Sequence, residues 1–284
     1  MAHRIGKTES IAKALMRLAR DDIDRATHEL KAADRRDERI HRVRQRLKRV
    51  RTILRVVEPR FNESAVGARR TLAEAARLLA RARDADVAAE NARQLAAASK
   101  PGEDLGFERV VEFLEREAEE AHQRRTPIGE VNMRLAAASA AIATFDADFD
   151  GRALVAAALR RAYAHGRKAM RRAETSLATP DLHRWRKAVK DLWHLMLLAR
   201  RRLPKKARRA GGRLDRLDEM LGSDNDHALL AEKLALSPTG DPKLMSQLGV
   251  IAKERNKLEG DAFRLGKRVY ARKPKAFARK FKVR

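Results

Sequence analysis

HRVRQRLKRVR, residues 41–51, returns as HRWRKAVKDLW at residues 183–193. The shift is 142 residues, and it superposes His41 on His183, Arg44 on Arg186 and Lys48 on Lys190. Carried onward without a gap, it places Leu72 on Leu214, Leu79 on Leu221 and Asp84 on Asp226. Chance gives short matches but does not keep register from residue 41 to residue 84. The chain therefore reads as two homologous halves, divided near Gly151.

Each copy has the spacing of an amphipathic helix. In the first, Ile40, Val43, Leu47, Val50, Leu54 and Val57 recur at intervals of three and four, the period of a buried helical seam. His41, Arg44, Lys48, Arg51 and Arg55 follow the same spacing one residue later. At about 100° per residue they form a cationic ladder beside the seam. In the second copy Leu182, Trp185, Val189, Leu192 and Met196 form the seam. His183, Arg186 and Lys190 form its ladder, widened by Lys187 and His194. Trp193 and Leu197 stand where Arg51 and Arg55 stood, so the second ladder is shorter.

Helical periodicity continues outward in both directions. Breakers fall at Pro59, Pro101-Gly102, Pro127, Gly151, Pro180, Pro204, Gly211-Gly212 and residues 237–242. Between them the spacing predicts helices over 9–33, 36–57, 63–82, 85–99, 105–122, 128–148, 152–177, 181–202, 206–221, 225–236 and 242–271. No alternating strand is visible. The fold class is all-α: two pseudo-symmetric bundles, 9–150 and 151–271, of about four or more helices each, flanking a basic groove. Residues 272–284 hold seven Lys/Arg and read as a frayed basic tail.

Composition fits this reading. At 44% hydrophobic residues the 284-residue chain has material for a core, and with 4% aromatics it builds that core from Ala and Leu, good helix formers. The net charge is +26, and that much self-repulsion calls for a partner of opposite sign. There is no Cys, which excludes disulfides, thiolate metal sites and Cys nucleophiles. The first residues, MAHRIGKTES, lack the apolar core of a secretory signal, and no apolar run approaches membrane-span length; a cytoplasmic location is expected.

Cations at regular intervals, with nothing local to neutralise them, suit an anionic polymer whose charges bridge successive rungs. Arg offers forked donors to phosphate oxygens, Lys a compact point charge. A partly protonated His adds a donor. No catalytic or metal-ligand pattern accompanies the ladders: no Walker loop, no HExxH, no carboxylate at ligand spacing from His183 and His194. The expectation is a protein that is not an enzyme and uses no cofactor. Asp84, Asp86, Asp224 and Asp226 follow predicted helix ends and are expected to cap the next helix or hold ladder arginines.

The paired motifs resemble the CHAD family, the conserved histidine α-helical domain. The likeness rests on HRVRQRLKRVRTILRVV with LLARARDADV, and on LHRWRKAVKDLWHLMLL with MLGSDNDHALL, and spans about Ser10 to about Tyr270. It implies one CHAD-like domain of two helical bundles around a basic cavity. It also implies binding of inorganic polyphosphate and association with polyphosphate granules. By matching position, the implied binding residues are His41, Arg44, Lys48, Arg51, His183, Arg186 and Lys190; Arg55 and Lys187 extend the same stripes. The rival reading is a histone-like DNA or RNA binder, supported by the net charge, but the ladders lack aromatics for base stacking.

Overall fold

The computed structural model describes residues 4–31, 36–79, 81–98, 107–123, 127–235 and 243–283. These residues form ten helices and no strand. They are α1 (Ile11–Lys31), α2 (Arg36–Leu78), α3 (Arg81–Ala98), α4 (Phe107–Gln123), α5 (Ile128–Ala143), α6 (Gly151–Ser176), α7 (Thr179–Leu198), α8 (Ala207–Ala235), α9 (Leu244–Val269) and α10 (Pro274–Lys280). The expected breakers at Pro101-Gly102 and 237–242 lie outside the described residues.

In the first half α1, α2 and α5 pack on one another; in the second, α6, α7, α8 and α9 pack in succession. The seams behave as their period requires. Val43, Leu47, Val50 and Val57 are fully buried, as are Trp185, Val189 and Leu192. One core runs through α1, α2, α5, α6, α7 and α8. A smaller core, with Ala88, Ala92, Leu95 and Leu114, seats α3 and α4 on the ends of α8 and α9. The halves join closely at Gly151: a Cβ there would lie 2.6 Å from the Ala12 backbone nitrogen, so α6 starts against the backbone of α1. Asp150 caps that start by accepting the Ala153 N–H at 3.0 Å.

Several expected boundaries move. The helices predicted over 36–57 and 63–82 are both present, as two helical arms of α2 that meet at Asn62, where φ is +43° and the backbone is not helical. The break falls at Asn62, three residues past Pro59, and Asn accepts positive φ more readily than most residues. Phe61 fills the elbow, stacked on Phe145 at 4.2 Å and edge-on to Phe149 at 5.8 Å. In α8 the helix runs unbroken through Gly211, Gly212 and Gly222. Glycine weakens a helix by only about 1 kcal/mol, which packing on α7 and α9 overrides. The segment from 272 is not a frayed tail. It forms α10, which packs on α6. Phe277, Phe281 and Val283 are buried there, with Phe277 stacked on Tyr163 at 3.9 Å. A basic composition concealed an apolar i, i+4 pair whose burial outweighs the surrounding repulsion.

Among the described residues, no helix is long and apolar enough to cross a membrane.

Candidate functional site

The fold sets the two repeated helices, α2 and α7, against each other. The ladders therefore meet. Lys48 of α2 reaches hydrogen-bonding range of its repeat equivalent, Lys190 of α7, with Arg186 and Asp218 beside them. Two ammonium groups held close together out of water repel, and one of them is driven to release its proton. Burial and then Lys190 hold the Lys48 amine down to about 6, with Arg186 adding to the effect and Asp218 opposing it. Asp218, on α8, lies 3.4 Å from Lys190 Nζ.

The rest of the ladder divides by partner. Arg51 is pushed below its ordinary value by burial and by Arg55, Arg69 and Arg77, with Asp191 opposing; its Nε is buried without a hydrogen-bond partner. Arg55 forms an ion pair with Asp191 across the α2–α7 junction. Arg44 donates from Nη1 to the Leu79 carbonyl at 3.2 Å, tying the two arms of the bent α2 together. His41 Nε2 lies 2.7 Å from Gln45 Nε2. In the second ladder, Arg186 has a buried Nε without a partner. It occupies the space left by Gly222, where a Cβ would lie 3.2 Å from its Nη2. His183 Nδ1 donates to Asn225 Oδ1 at 2.5 Å. Lys187 is exposed.

Two expectations need correction. The rungs are not all without local neutralisation, because Asp191 and Asp218 partner Arg55 and Lys190. Partial protonation does not describe His183 either: burial and then Lys187 lower it below its ordinary value, against the Asn225 hydrogen bond. The aspartates also differ from expectation. Asp224 sits inside α8, buried, and binds Arg255 Nε at 2.8 Å rather than capping a helix. Asn225 donates to Asp226 at 3.4 Å. The side chain of Asp84 lies outside those described.

Beside the Lys48–Lys190 contact is a cavity of about 520 Å³, lined by His41, Arg49, Trp193 and His194 among others. His194 is lowered to about 3 by burial, then by Lys48 and Lys190, and its Nε2 is buried without a partner. A second cavity, of about 640 Å³, lies between α2, α6 and α7 and is lined by Arg55, Arg161, His165 and Asp191. Thr52 lines both. Sequence reasoning missed Arg69, Arg77, Arg161 and His165. Arg69 had a signal, since it follows the buried Ala68 by one residue, as the ladder residues follow their seam. Arg161 and His165 had none, because they reach the site from α6.

Not every cation near the site is available. Arg46, one of the cations on the side of α2 facing α1, donates to Asp22 Oδ1 at 3.1 Å and Glu29 Oε1 at 2.6 Å. Glu29 chiefly raises its pKa, so it is spent on holding α1. Lys48, Lys190 and Arg186 gather at the α2–α7 crossing, and Arg51 lies one turn further along α2 among Arg55, Arg69 and Arg77: basic groups in excess of the carboxylates beside them. Such a centre gains from an entering anion, which supplies the missing charge. Among the described residues, no group of three or more His, Cys, Asp or Glu could hold a metal ion.

Comparison with known proteins agrees with the geometry. The family model described as "CHAD domain" matches residues 14–235. The crystal structure of the CHAD domain from the plant Ricinus communis is similar over 100% of this chain and 98% of that one, with a TM-score of 0.68 at 16% identity. At that identity the likeness concerns the fold. No curated protein matches the chain.

Proposed function

The chain belongs to the CHAD family, and from that premise we propose that it binds inorganic polyphosphate without catalysing a reaction, holding the polymer at the crossing of α2 and α7. The observation that carries this reading is the contact between repeat-equivalent Lys48 and Lys190, with Arg186 beside it. Such crowding of cations costs stability unless a ligand relieves it. Arg51 and Arg186 supply forked donors, Lys190 a point charge that Lys48 joins once the polymer restores its proton, and His41 and His183 short polar contacts. Arg44 and Arg55 serve more in setting the helices than in meeting the ligand. All these groups donate hydrogen bonds or carry positive charge, a chemistry of capture rather than turnover. Granule association follows from the same partner: a protein that holds polyphosphate collects where the polymer collects.

The test is a competition titration of polyphosphate against duplex DNA and against RNA at near-physiological salt. Tighter binding of polyphosphate supports the reading. Equal or tighter DNA binding replaces it with the nucleic-acid reading that the +26 charge favours.

A further inference from the structure

Lys48 carries a chemistry that capture of a polyanion does not use. Its amine lies on the wall of the 520 Å³ cavity. Facing it are Lys190, Arg186 and His194 from α7 and Asp218 from α8. His41, Gln45 and Arg49 of its own helix, and Arg4 of the N-terminal segment, line the same cavity. Asp218 is the carboxylate that acts on it, and Asp218 already lies 3.4 Å from Lys190 Nζ. Asp218 therefore partners Lys190, and Lys48 is left as the amine that gives its proton up. Burial and the surrounding cations hold Lys48 at about 6, so at neutral pH it is mostly a free amine. A free amine is a nucleophile, while a surface ammonium is not. The cations around it concentrate anions. The combination selects an electrophile that carries a phosphate.

We propose that Lys48 is an acylation site for small acyl phosphates, which enter the cavity beside the α2–α7 crossing. The phosphate rests on Lys190 and Arg186. Lys48 Nζ attacks the carbonyl carbon, an N–C amide bond forms and the C–O bond to the phosphate breaks. Phosphate leaves as hydrogenphosphate, carrying the proton that the amine gives up. The amide bears no charge and fills part of the cavity. Acylation therefore weakens polyanion capture, a consequence that rests on the function proposed above; the acylation itself does not.

The experiment incubates the full chain with acetyl phosphate and follows each lysine by peptide mass spectrometry over time and pH. Lys48 is expected to be acetylated at least about ten-fold faster than exposed Lys187, Lys253 and Lys257 near neutral pH. Its rate should level off above about 6–7, as the amine becomes fully deprotonated, whereas an amine of ordinary basicity gains rate up to about pH 10. Lys190→Ala removes the repelling cation and frees Asp218, so Lys48 should become slower. Acetylation of Lys48 no faster than Lys187, or a rate that climbs in parallel with it, overturns the proposal. A chain that acetylates at Lys48 but ignores polyphosphate would overturn the proposed function and leave this inference standing; the converse result would do the opposite.

Discussion

Lys48 has a cost that can be measured in the free protein. Its amine stands at about 6 when folded and near 10.4 in an unfolded chain. Between those values the unfolded state binds more protons, so this group makes stability rise with pH and contributes no further change below about 6. Lys48→Met keeps the length and removes the charge. Its thermal midpoint should rise near neutral pH, by about 2–4 °C for each kcal/mol recovered, and the rise should shrink toward alkaline pH. A lower midpoint at every pH would mean that Lys48 is held comfortably. In the complex the same group works in reverse. A polyanion restores the proton, so binding takes one up; affinity should be greatest below about 6 and fall toward about pH 8. Calorimetric titration in buffers of different ionisation heat reads that uptake directly. Arg51 and Arg55, four residues apart on one ladder, should behave differently. Arg51→Ala should weaken polyphosphate binding by about ten-fold with little loss of stability, since burial and the cations around it outweigh Asp191 in opposing its charge. Arg55→Ala strands Asp191 and should lower the melting temperature as well.

At the scale of elements, α10 illustrates how composition misleads. Its exposed residues are basic, and its buried ones are Phe277 and, just beyond its end, Phe281 and Val283. Truncation after Tyr270 uncovers Tyr163 and removes two buried aromatics, each worth about 3–5 kcal/mol in a large-to-small change. The truncated chain should melt much lower. Neutralising Lys275 and Arg279 together, both outside the core, should leave the midpoint within a few degrees. Thermal denaturation of the two variants separates a folded element from a loose appendage. The α2 helix shows the complementary case. Its ladder was legible because seam and stripe share one period. Its break was legible too, from Pro59; that it falls at Asn62 was not, because Phe61 packs against Phe145 and Phe149 only in the folded chain.

For the whole molecule, the +26 charge is spread widely, but the groups argued to capture the ligand are concentrated where the two halves cross. Several cations there displace counterions from a bound polymer, so affinity should fall steeply with salt. A plot of log affinity against log salt with almost no slope would refute an electrostatic crossing. The geometry also sets a size limit. A thin, flexible chain can enter cavities of about 520 and 640 Å³, and a duplex can touch only their rims. Arg186→Ala and Arg51→Ala should therefore cost more affinity for polyphosphate than for duplex DNA, measured side by side at one salt concentration.

The repeat from His41 to Lys190 determined a good deal by itself: an all-α fold and two related helices, each with a basic stripe beside its buried seam. Those follow from local period, because a seam at three and four residues dictates both what is buried and what stands beside it. Which rungs are neutralised was decided only in three dimensions. Asp191, on α7, meets Arg55 only once the halves pack, and Asp218, on α8, meets Lys190 only once α8 folds onto α7. The same holds for Lys48. Nothing in its neighbours along the chain distinguishes it from Arg51 or Lys190. Its amine is forced toward neutrality by burial and by a cation brought from the other half, and a desolvated charge responds to everything within a few ångströms, whatever its distance in sequence.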